Sequence, residues 1–421
     1  MAMTLSEKVL ARAAGKDEVT PGEIVQTEID WIMTNDATTH VSIDIFEQKL
    51  LKQEIKHPER VIWVVDHNIP AESVETANVH RKQRIFAGKH GFNSHVGEGI
   101  CHQLLVEKYV LPGQVVIGAD SHTCSHGALG AFATGVGSTD LVGAIREGSL
   151  WFMVPATLKF HLTGKLREGV TTKDLILTII GDISANGANY RAMEFSGPAV
   201  STLSFESRLA LCNLVVEAGG KNAIMEADEK VVGYLRRNRP QGATGVVLQG
   251  DQGAAYEKFF HYDLSQIAPV VACPHAVDNV SPIIAVEGRE IDQVFVGSCS
   301  NGRIEDLRIL GRILKGNRVH SRVRLAVSPA STRVFLQALE EGLISTFLEA
   351  GAMVLNPNCS TCWGGCQAVV GDGERLLSTG TRNFKGRSGS ALAEVFLGSV
   401  YSAGAAALAG KIVNPINYLG L

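Results

Sequence analysis

Three cysteines stand directly after two short apolar runs, in positions suited to holding a metal. Cys299 follows a Val-Phe-Val-Gly run, and Cys359 and Cys362 follow Met-Val-Leu and an Asn-Pro-Asn turn. Three thiolates are one fewer than a closed zinc site or electron-transfer cluster uses, so one metal position stays open for a substrate. From spacing alone, zinc and an iron–sulfur cluster are equally good interpretations. Cys366 completes a C-x2-C-x3-C run, and we interpret it as a neighbour on the following helix.

Histidines beside carboxylates end two further apolar runs. Asp66 and His67 follow a Val-Ile-Trp-Val-Val run, Asp120 and His122 follow another, and His102 lies between them in the chain. A carboxylate beside an imidazole fixes its tautomer and can hold it protonated, as a general acid requires. With thirteen histidines in the chain some coincidence is expected, but the grouping at strand ends indicates acid–base chemistry.

Two arginines in a glycine-containing loop suggest the kind of substrate. Arg382 and Arg387 are five residues apart, and guanidinium groups bind carboxylates with two hydrogen bonds. Such a loop is usually just a solvated basic surface. Beside a metal site, the pair predicts a di- or tricarboxylate substrate. Asn213 and Glu217 share a helical face at i and i+4, an arrangement that amphipathic helices often have without any function.

The elements that must position these residues repeat one pattern of apolar run, polar loop and helix. Apolar residues spaced three and four apart predict a helix over 304–314. The alternation predicts an α/β fold with parallel strands, in which ligands bind beyond the carboxyl ends of the strands. Seams near two prolines predict three domains, 1–155, 156–283 and 284–421.

Composition excludes several classes of protein. The 421 residues carry a net charge of −4 and no basic stripe, which argues against a nucleic-acid partner and against a membrane surface. No apolar stretch approaches the roughly 20 residues of a membrane span, and the N-terminus lacks an apolar signal core. Eight cysteines are too sparse for a disulfide scaffold. We therefore expect a cytoplasmic protein.

Taken together, these motifs resemble the aconitase superfamily over essentially the whole length. The resemblance is to the large, catalytic subunits of 3-isopropylmalate dehydratase and homoaconitase. The motifs that carry it are Gly-Ala-Asp-Ser-His-Thr at 118–123, the segment 297–306, the pair Cys359-x-x-Cys362, and the segment 382–387. Their joint order is specific, although none would suffice singly.

The resemblance implies a fold, a cofactor and a set of site residues. The fold is three α/β domains around a central iron–sulfur site, without the family's swivel domain. A 4Fe–4S cluster would be held by Cys299, Cys359 and Cys362, and its fourth iron would bind the substrate's hydroxyl and carboxylate. Three histidine–carboxylate pairs are implied around it: His67 with Asp66, His102 with Asp120, and His122 with Glu217.

The resemblance also assigns positions on the substrate side. The first histidine pair would protonate the departing hydroxyl. At His40 the chain departs from the family pattern, and we expect this residue to alter specificity. The remaining substrate-binding positions are Ser121, Asn213, Arg382 and Arg387.

The family's catalytic serine lies on the swivel domain, so we expect a separate small subunit to supply it. The expected reaction is dehydration and rehydration of a hydroxy dicarboxylate, with 3-isopropylmalate as the first substrate and leucine biosynthesis as its setting. Homoaconitase is the nearest rival, and a dehydratase for a methyl-substituted malate of the 2,3-dimethylmalate type is third. Two non-enzymatic alternatives are an RNA-binding apoprotein, which the even charge disfavours, and a zinc-stabilised structural subunit.

Overall fold

The computed structural model describes residues 1–49, 54–239 and 245–419. The strands in these ranges are β1 (Ile24–Glu28), β2 (Trp31–Asn35), β3 (Val61–Val65), β4 (Asn93–Val96), β5 (Val115–Gly118), β6 (Phe132–Gly135), β7 (Ser149–Met153), β8 (Thr157–Thr163), β9 (Ala192–Ser196), β10 (Asn222–Ile224), β11 (Lys258–Asp263), β12 (Val270–Ala272), β13 (Val280–Pro282), β14 (Gln293–Val296), β15 (Arg324–Val327), β16 (Met353–Val354), β17 (Arg375–Ser378) and β18 (Glu394–Leu397). The α-helices there are α1 (Leu5–Ala13), α2 (Asp36–Lys49), α3 (Val74–His90), α4 (Cys101–Lys108), α5 (Ser138–Glu147), α6 (Thr172–Ile183), α7 (Phe205–Asn213), α8 (Glu229–Asn238), α9 (Ser298–Asn301), α10 (Ile304–Leu314), α11 (Thr332–Glu340), α12 (Leu343–Ala350), α13 (Ser360–Trp363) and α14 (Val400–Ala409).

The first sheet has five strands in the order β4-β3-β2-β5-β6, and all neighbours are parallel. All five residues of β3 are buried, as expected of a strand in a parallel sheet covered on both faces. The chain builds β3 and β4 on one side of β2, then β5 and β6 on the other. The carboxyl ends of β2, β3 and β5 therefore lie side by side where the strand order reverses, which is where such sheets bind ligands.

The second sheet has seven strands in the order β13-β12-β18-β17-β14-β15-β16. Strands β14 to β18 are mutually parallel, whereas β12 pairs antiparallel with β13 and β18. The loops after β14, β16 and β17 leave this sheet at one edge, because parallel strands end on the same side. Those loops carry the three cysteines of interest and the two arginines.

The remaining strands form a four-stranded parallel sheet, β10-β9-β8-β11, and an antiparallel pair, β1 with β7. Helix α7 leads from the four-stranded sheet toward the edge of the first sheet. Strands β12 and β13 belong to the seven-stranded sheet although they precede residue 284. The division into domains at 155 and 283 stays a prediction.

Backbone contacts between loops join the five-stranded sheet to the seven-stranded sheet. Gly99 forms a bridge with Ser331, with the Ile100 N–H donating to the Ala330 carbonyl at 2.9 Å. Gly99 has φ +146°, and a Cβ there would lie 2.6 Å from Ser331 Cα, so the position requires glycine. This contact joins the start of α4 to the loop after β15, and thereby joins the first sheet to the second.

The predicted α/β fold with parallel strands is confirmed. The helix predicted over 304–314 is α10, Ile304–Leu314. In the part of the chain that the structure describes, no helix has the length and apolar character to span a bilayer.

A glycine substitution tests the contact between the 3-10 helix at 121–129 and strand β10. Gly127→Ala would place a Cβ 1.9 Å from the Ala223 carbonyl oxygen, so backbone must shift. We expect the free energy of unfolding to fall by about 1–3 kcal/mol or more. The matched control is Gly143→Ala on the exposed face of α5, where no atom lies within 4 Å of the added Cβ. Helix propensity predicts a gain there of about 0.5–1 kcal/mol, and chemical denaturation measures both.

Candidate active site

The three predicted ligand cysteines meet at one edge of the seven-stranded sheet. Cys299 lies in α9, shortly after β14. Cys359 immediately precedes α13, which follows β16, and Cys362 lies within that helix. All three side chains are buried. Ser298 and Ser360 adopt left-handed backbone angles, φ 70° and 47°. Such angles cost energy in residues other than glycine and are often found at functional sites.

The three thiols have different electrostatic surroundings. Burial raises the pKa of Cys299 to about 12, and it raises the pKa of Cys359 well above its ordinary value. Burial also opposes ionisation of Cys362. There, however, the positive charge of Arg387 and hydrogen bonding with Thr381, whose Oγ1 is 3.5 Å from Cys362 Sγ, outweigh burial and lower the pKa. Thiols with raised pKa values stay protonated until a metal replaces the proton.

The spacing of the thiols bears on whether they would hold a single zinc ion or a larger metal cluster. Among the described residues, Asp66, His67 and Cys359 have ligand atoms within 4.8 Å of one another, and the other two cysteines are not part of that group. One zinc ion held by three thiolates would bring the sulfur atoms to about 3.8 Å apart, because a Zn–S bond is about 2.3 Å. The three thiols are not all within 4.8 Å of one another, which is compatible with a group larger than one ion.

Asn213 reaches the cysteines from the end of α7. Its Nδ2 donates to Cys299 Sγ at 3.2 Å and to Ser125 Oγ at 2.8 Å. Helix α7 ends at Asn213, and Glu217 lies in the 3-10 helix 214–218 that follows. The prediction that the two share one α-helical face is therefore wrong in its geometry, because the tighter 3-10 turn changes the direction of Glu217. Both side chains nevertheless line the site.

The first histidine–carboxylate pair is built on a helix start. Asp36, the first residue of α2, accepts hydrogen bonds from the backbone N–H groups of residues 66–68 at 2.8–2.9 Å. His67 Nδ1 lies 2.8 Å from Asp66 Oδ1. Burial opposes protonation of His67, but three surrounding carboxylates, led by that of Asp66, outweigh it and raise the pKa of His67 to about 9. His67 is therefore an imidazolium at neutral pH.

The second pair centres on Asp120, which follows β5. Asp120 Oδ1 lies 2.9 Å from His102 Nε2 and accepts the backbone N–H of His122 at 2.9 Å. Asp120 Oδ2 accepts from Asn35 Nδ2 at 3.2 Å and stands 3.8 Å from His67 Nε2. Burial disfavours the charge, but His102 and His122 outweigh it and hold the pKa of Asp120 well below its usual range.

The third pair joins the first sheet to the arginine loop. Glu217 Oε1 lies 3.1 Å from His122 Nε2 and accepts from Arg382 Nε at 2.7 Å. Arg382 Nη2 also donates to Ser121 Oγ at 2.8 Å. Burial opposes ionisation of Glu217, but His122 and Arg382 outweigh it and lower its pKa. These side chains form one continuous polar wall with Asp120, because the His122 ring is 3.6 Å from Asp120 Oδ1.

The second arginine is held by an aromatic ring. The Arg387 guanidinium lies 5.3 Å from the ring centroid of Trp363, a cation–π contact. Trp363 Nε1 donates to Asn68 Oδ1 at 3.1 Å, and the ring stands edge-on to His67 at 5.3 Å. Arg387 Nε is buried without a partner among the described residues. The arrangement leaves this guanidinium free to bind an anion beside His67.

Two predicted features lie apart from this wall. His40 is exposed on α2 and makes none of the contacts described above. Cys366 lies in a bend after α13, so its predicted helix is wrong. Its Sγ donates to the His67 carbonyl at 3.2 Å, and burial raises its pKa to about 11. That contact gives Cys366 a role in holding the His67 backbone.

Sequence reasoning missed several residues of this site. Asn35 and Asp36 follow the apolar run of β2, so their position at a strand end was the signal that could have found them. His126 is fully buried, with its ring centroid 5.9 Å from that of His102. Lys173 is also fully buried, and it contacts the loops that follow β14 and β17. Its sequence context is that of an ordinary lysine in the first turn of a helix.

Comparison with known proteins identifies the family. The family model described as the aconitase family (aconitate hydratase) matches residues 7–288 and 284–410. The chain belongs to the aconitase family. The expected fold is thus confirmed by a match that contains every side chain of the wall described above.

Individual relatives of this aconitase-family chain are similar over their full lengths. It is 50% identical to the probable 3-isopropylmalate dehydratase large subunit of Methanothermobacter thermautotrophicus, covering 99% of each chain. It is 43% identical to the probable methanogen homoaconitase large subunit of the same organism, covering 98% of this chain and 97% of the relative. Among solved structures, aconitase X of Thermococcus kodakaraensis matches with TM-score 0.50 and 12% identity, covering 91% and 94% of the two chains, which supports the fold alone.

The raised pKa of His67 makes a prediction about stability in this aconitase-family chain. The folded state binds the proton more tightly, with a pKa of about 9 against about 6.5 when unfolded. Protonation therefore stabilises the fold fully below about pH 6.5, and the effect is lost as pH rises through about 9. Relative to His67→Gln, we expect the wild-type free energy of unfolding to fall by roughly 3 kcal/mol across this window.

Urea denaturation between pH 6 and pH 10 measures this difference. His40→Gln, on the exposed face of α2, is the matched control and should track the wild type at every pH. A wild-type curve that runs parallel to that of His67→Gln would contradict the assignment of an imidazolium at position 67.

Proposed function

We propose that this chain is the large subunit of a hydro-lyase that interconverts 2-isopropylmalate and 3-isopropylmalate through 2-isopropylmaleate. The observation that carries the proposal is the meeting of three buried cysteines, three histidine–carboxylate pairs and two arginines in one wall. The similarity to relatives named 3-isopropylmalate dehydratase large subunit supports it. A reducing cytoplasm is the compartment we propose, because the eight cysteines of the chain are free thiols.

A 4Fe–4S cluster held by Cys299, Cys359 and Cys362 is the proposed cofactor. The donor set fits it: three buried thiols, not all within 4.8 Å of one another, beside the proposed substrate-binding groups. When bound, the cluster supplies a Lewis-acidic iron for the substrate's hydroxyl and carboxylate. Asn213 would hold the Cys299 sulfur through its 3.2 Å hydrogen bond, which orients the ligand.

His67 is the proposed general acid. It carries a proton at neutral pH, its Nδ1 is fixed by Asp66, and its Nε2 is left to face the site. In dehydration the C–O bond breaks, and His67 gives its proton to the departing hydroxyl, which leaves as water. Asp36 keeps the imidazolium in place through the backbone of residues 66–68.

The proton on the neighbouring carbon needs a base, and we propose that a serine of a small swivel-domain subunit takes it. Loss of that proton and of the hydroxyl leaves a carbon–carbon double bond. Rehydration reverses both transfers, with the hydroxyl added to the neighbouring carbon. The designation of the relatives as large subunits supports a partner of this kind.

The two arginines have different proposed parts in binding the dicarboxylate. Arg382 is already engaged by Glu217 and Ser121, so it orders the wall and presents its remaining N–H groups. Arg387 has a buried Nε without a described partner and is oriented by Trp363. We propose that Arg387 binds a substrate carboxylate, and that Ser121 and Asn213 line the same pocket.

Homoaconitase is the second candidate function, because one relative at 43% identity carries that name. The two activities share the reaction and differ in the substituent of the hydroxy acid. A dehydratase for 2,3-dimethylmalate is the third. His40 remains a proposed specificity residue, which its exposed place on α2 would allow only through the partner subunit.

An activity assay of the reconstituted pair tests the proposal. The chain, loaded with iron and sulfide without oxygen and mixed with its small subunit, should convert 3-isopropylmalate faster than homocitrate or 2,3-dimethylmalate. Formation of the double bond is followed in the ultraviolet. Inactivity toward all three would contradict the reaction, and full activity of the loaded chain alone would contradict the partner.

Substitution of one cysteine tests the cofactor. Cys299→Ser removes a proposed ligand, and we expect loss of the brown iron–sulfur absorbance and of activity. Cys366→Ser is the matched control, since a hydroxyl can still donate to the His67 carbonyl and the residue is not a proposed ligand. A colourless wild type with bound zinc would contradict the cluster.

Substitution of one arginine tests substrate binding. Arg387→Lys keeps the charge but loses the planar fork, and we expect KM to rise by about tenfold or more with a smaller change in kcat. Lys385→Gln, exposed in the same loop, is the control and should leave both constants within about twofold. An unchanged KM in Arg387→Lys would contradict its role.

A further inference from the structure

A lysine is buried behind the cysteines without a carboxylate partner. Lys173, the second residue of α6, is fully buried. Its Nζ donates to the carbonyl oxygens of Thr379 at 3.1 Å and Gly380 at 2.5 Å, and lies 3.5 Å from Ser300 Oγ. These three neutral acceptors use all the N–H donors of an ammonium group. Among residues 1–49, 54–239 and 245–419, no carboxylate oxygen lies within 4.0 Å of Nζ, since no ion pair includes it.

A buried ammonium group without a carboxylate partner lowers the stability of the folded chain. An ammonium removed from water loses its hydration, and neutral acceptors restore only part of that free energy. Burial accordingly lowers the pKa of Lys173 to about 8. A buried cation of this kind is expected where the functional protein holds an anion nearby.

The acceptors of Lys173 show where that anion would be. Ser300 directly follows Cys299. Thr379 and Gly380 precede Thr381, whose hydroxyl is 3.5 Å from Cys362 Sγ, and a Cβ on Gly380 would lie 3.1 Å from the same sulfur. Lys173 therefore lies between the loop that carries Cys299 and the arginine loop after β17, which contacts Cys362.

We propose that Lys173 is the buried countercharge of the thiolate-bound iron–sulfur group. The inference rests on the proposed function, because the anion it needs is that group. Three thiolates make the group negative, and its reduction potential depends on nearby charge and hydrogen bonds. A fixed positive charge behind it stabilises the thiolates and favours reduction. Lys173 is a positioning residue, since it touches neither the substrate nor the reacting atoms.

A purely structural role would also explain the contacts, since the ammonium ties the two loops together by hydrogen bonds. The two roles differ in what each neutral variant does. Lys173→Met keeps the shape and loses both charge and donors. Lys173→Gln loses the charge but keeps N–H donors. An electrostatic role makes the two variants alike in the loaded protein, whereas a structural role makes glutamine the better replacement.

The apoprotein gives a second distinction. Without the anion, the unpaired buried charge of Lys173 destabilises the folded apoprotein. Removing that charge should therefore leave the melting temperature unchanged or raise it. In the loaded protein the same change removes one partner of a buried charge pair. If Lys173 acts only by linking the two loops, its substitution should lower the melting temperature of both the apoprotein and the loaded protein.

The experiment uses the full chain, as apoprotein and loaded with iron and sulfide under argon. Wild type, Lys173→Met, Lys173→Gln and the exposed control Lys165→Met are compared by redox titration, by loss of visible absorbance in a chelator, and by melting temperature. We expect a lower potential and an at least roughly tenfold faster loss of the group in both neutral variants, with no loss of stability in the apoprotein. Lys165→Met should match the wild type.

Three outcomes would overturn the inference. The first is that both Lys173 variants, or Lys173→Gln alone, keep the wild-type reduction potential and the wild-type lifetime of the bound group in a chelator. That result would leave only the structural role. An equal fall of the melting temperature in the apoprotein and the loaded protein would do the same. Failure of the wild type to take up iron and sulfide would overturn the proposed cofactor as well. The first two outcomes leave the proposed function intact.

Discussion

The carboxylate of Asp120 is the group on which the arrangement of the site depends. It accepts hydrogen bonds from Asn35, from His102 and from the backbone of His122, and it stands 3.8 Å from His67. The three donors come from the ends of β2 and β5 and from α4, and His67 follows β3. Because the carboxylate is partly buried and its lowered pKa keeps it charged, each donor finds a fixed acceptor. The acid–base side chains are therefore held in place before any substrate arrives, which is the form of electrostatic preorganisation that catalysis uses.

The parallel topology explains which parts of the site could be predicted. Asp66 and Asp120 each follow a buried strand of the first sheet, and parallel strands end at one edge, so their grouping follows from local pattern. Cys299 follows a buried strand of the second sheet, and its approach to them depends on how the two sheets dock. The pairing of His122 with Glu217 does not follow from local pattern either, because it depends on how the four-stranded sheet docks against the first. Lys173 could not be found for the same reason: its burial is a property of packing between α6 and two distant loops.

Charges of opposite sign alternate through the buried wall. Glu217 lies between His122 and Arg382, and Asp66 compensates the imidazolium of His67. In this pattern Arg387 makes no ion pair with a described carboxylate, and its guanidinium lies against the face of Trp363 near Cys362. An anionic substrate would complete the alternation, so binding and charge compensation become the same event.

The two halves of the site lie far apart along the chain, and this gives its assembly a direction. The three histidine–carboxylate pairs are encoded before residue 218, whereas Cys299, Cys359, Cys362 and the arginine loop come after residue 298. Since chains fold from the N-terminus as they leave the ribosome, the histidine–carboxylate pairs can form before these three cysteines are translated. The hydrogen bond between Cys359 and the Asp66 backbone then docks the late loop onto a finished surface. The full set of three thiols exists only once residue 362 has been translated, so any group that they hold together must be inserted after that point.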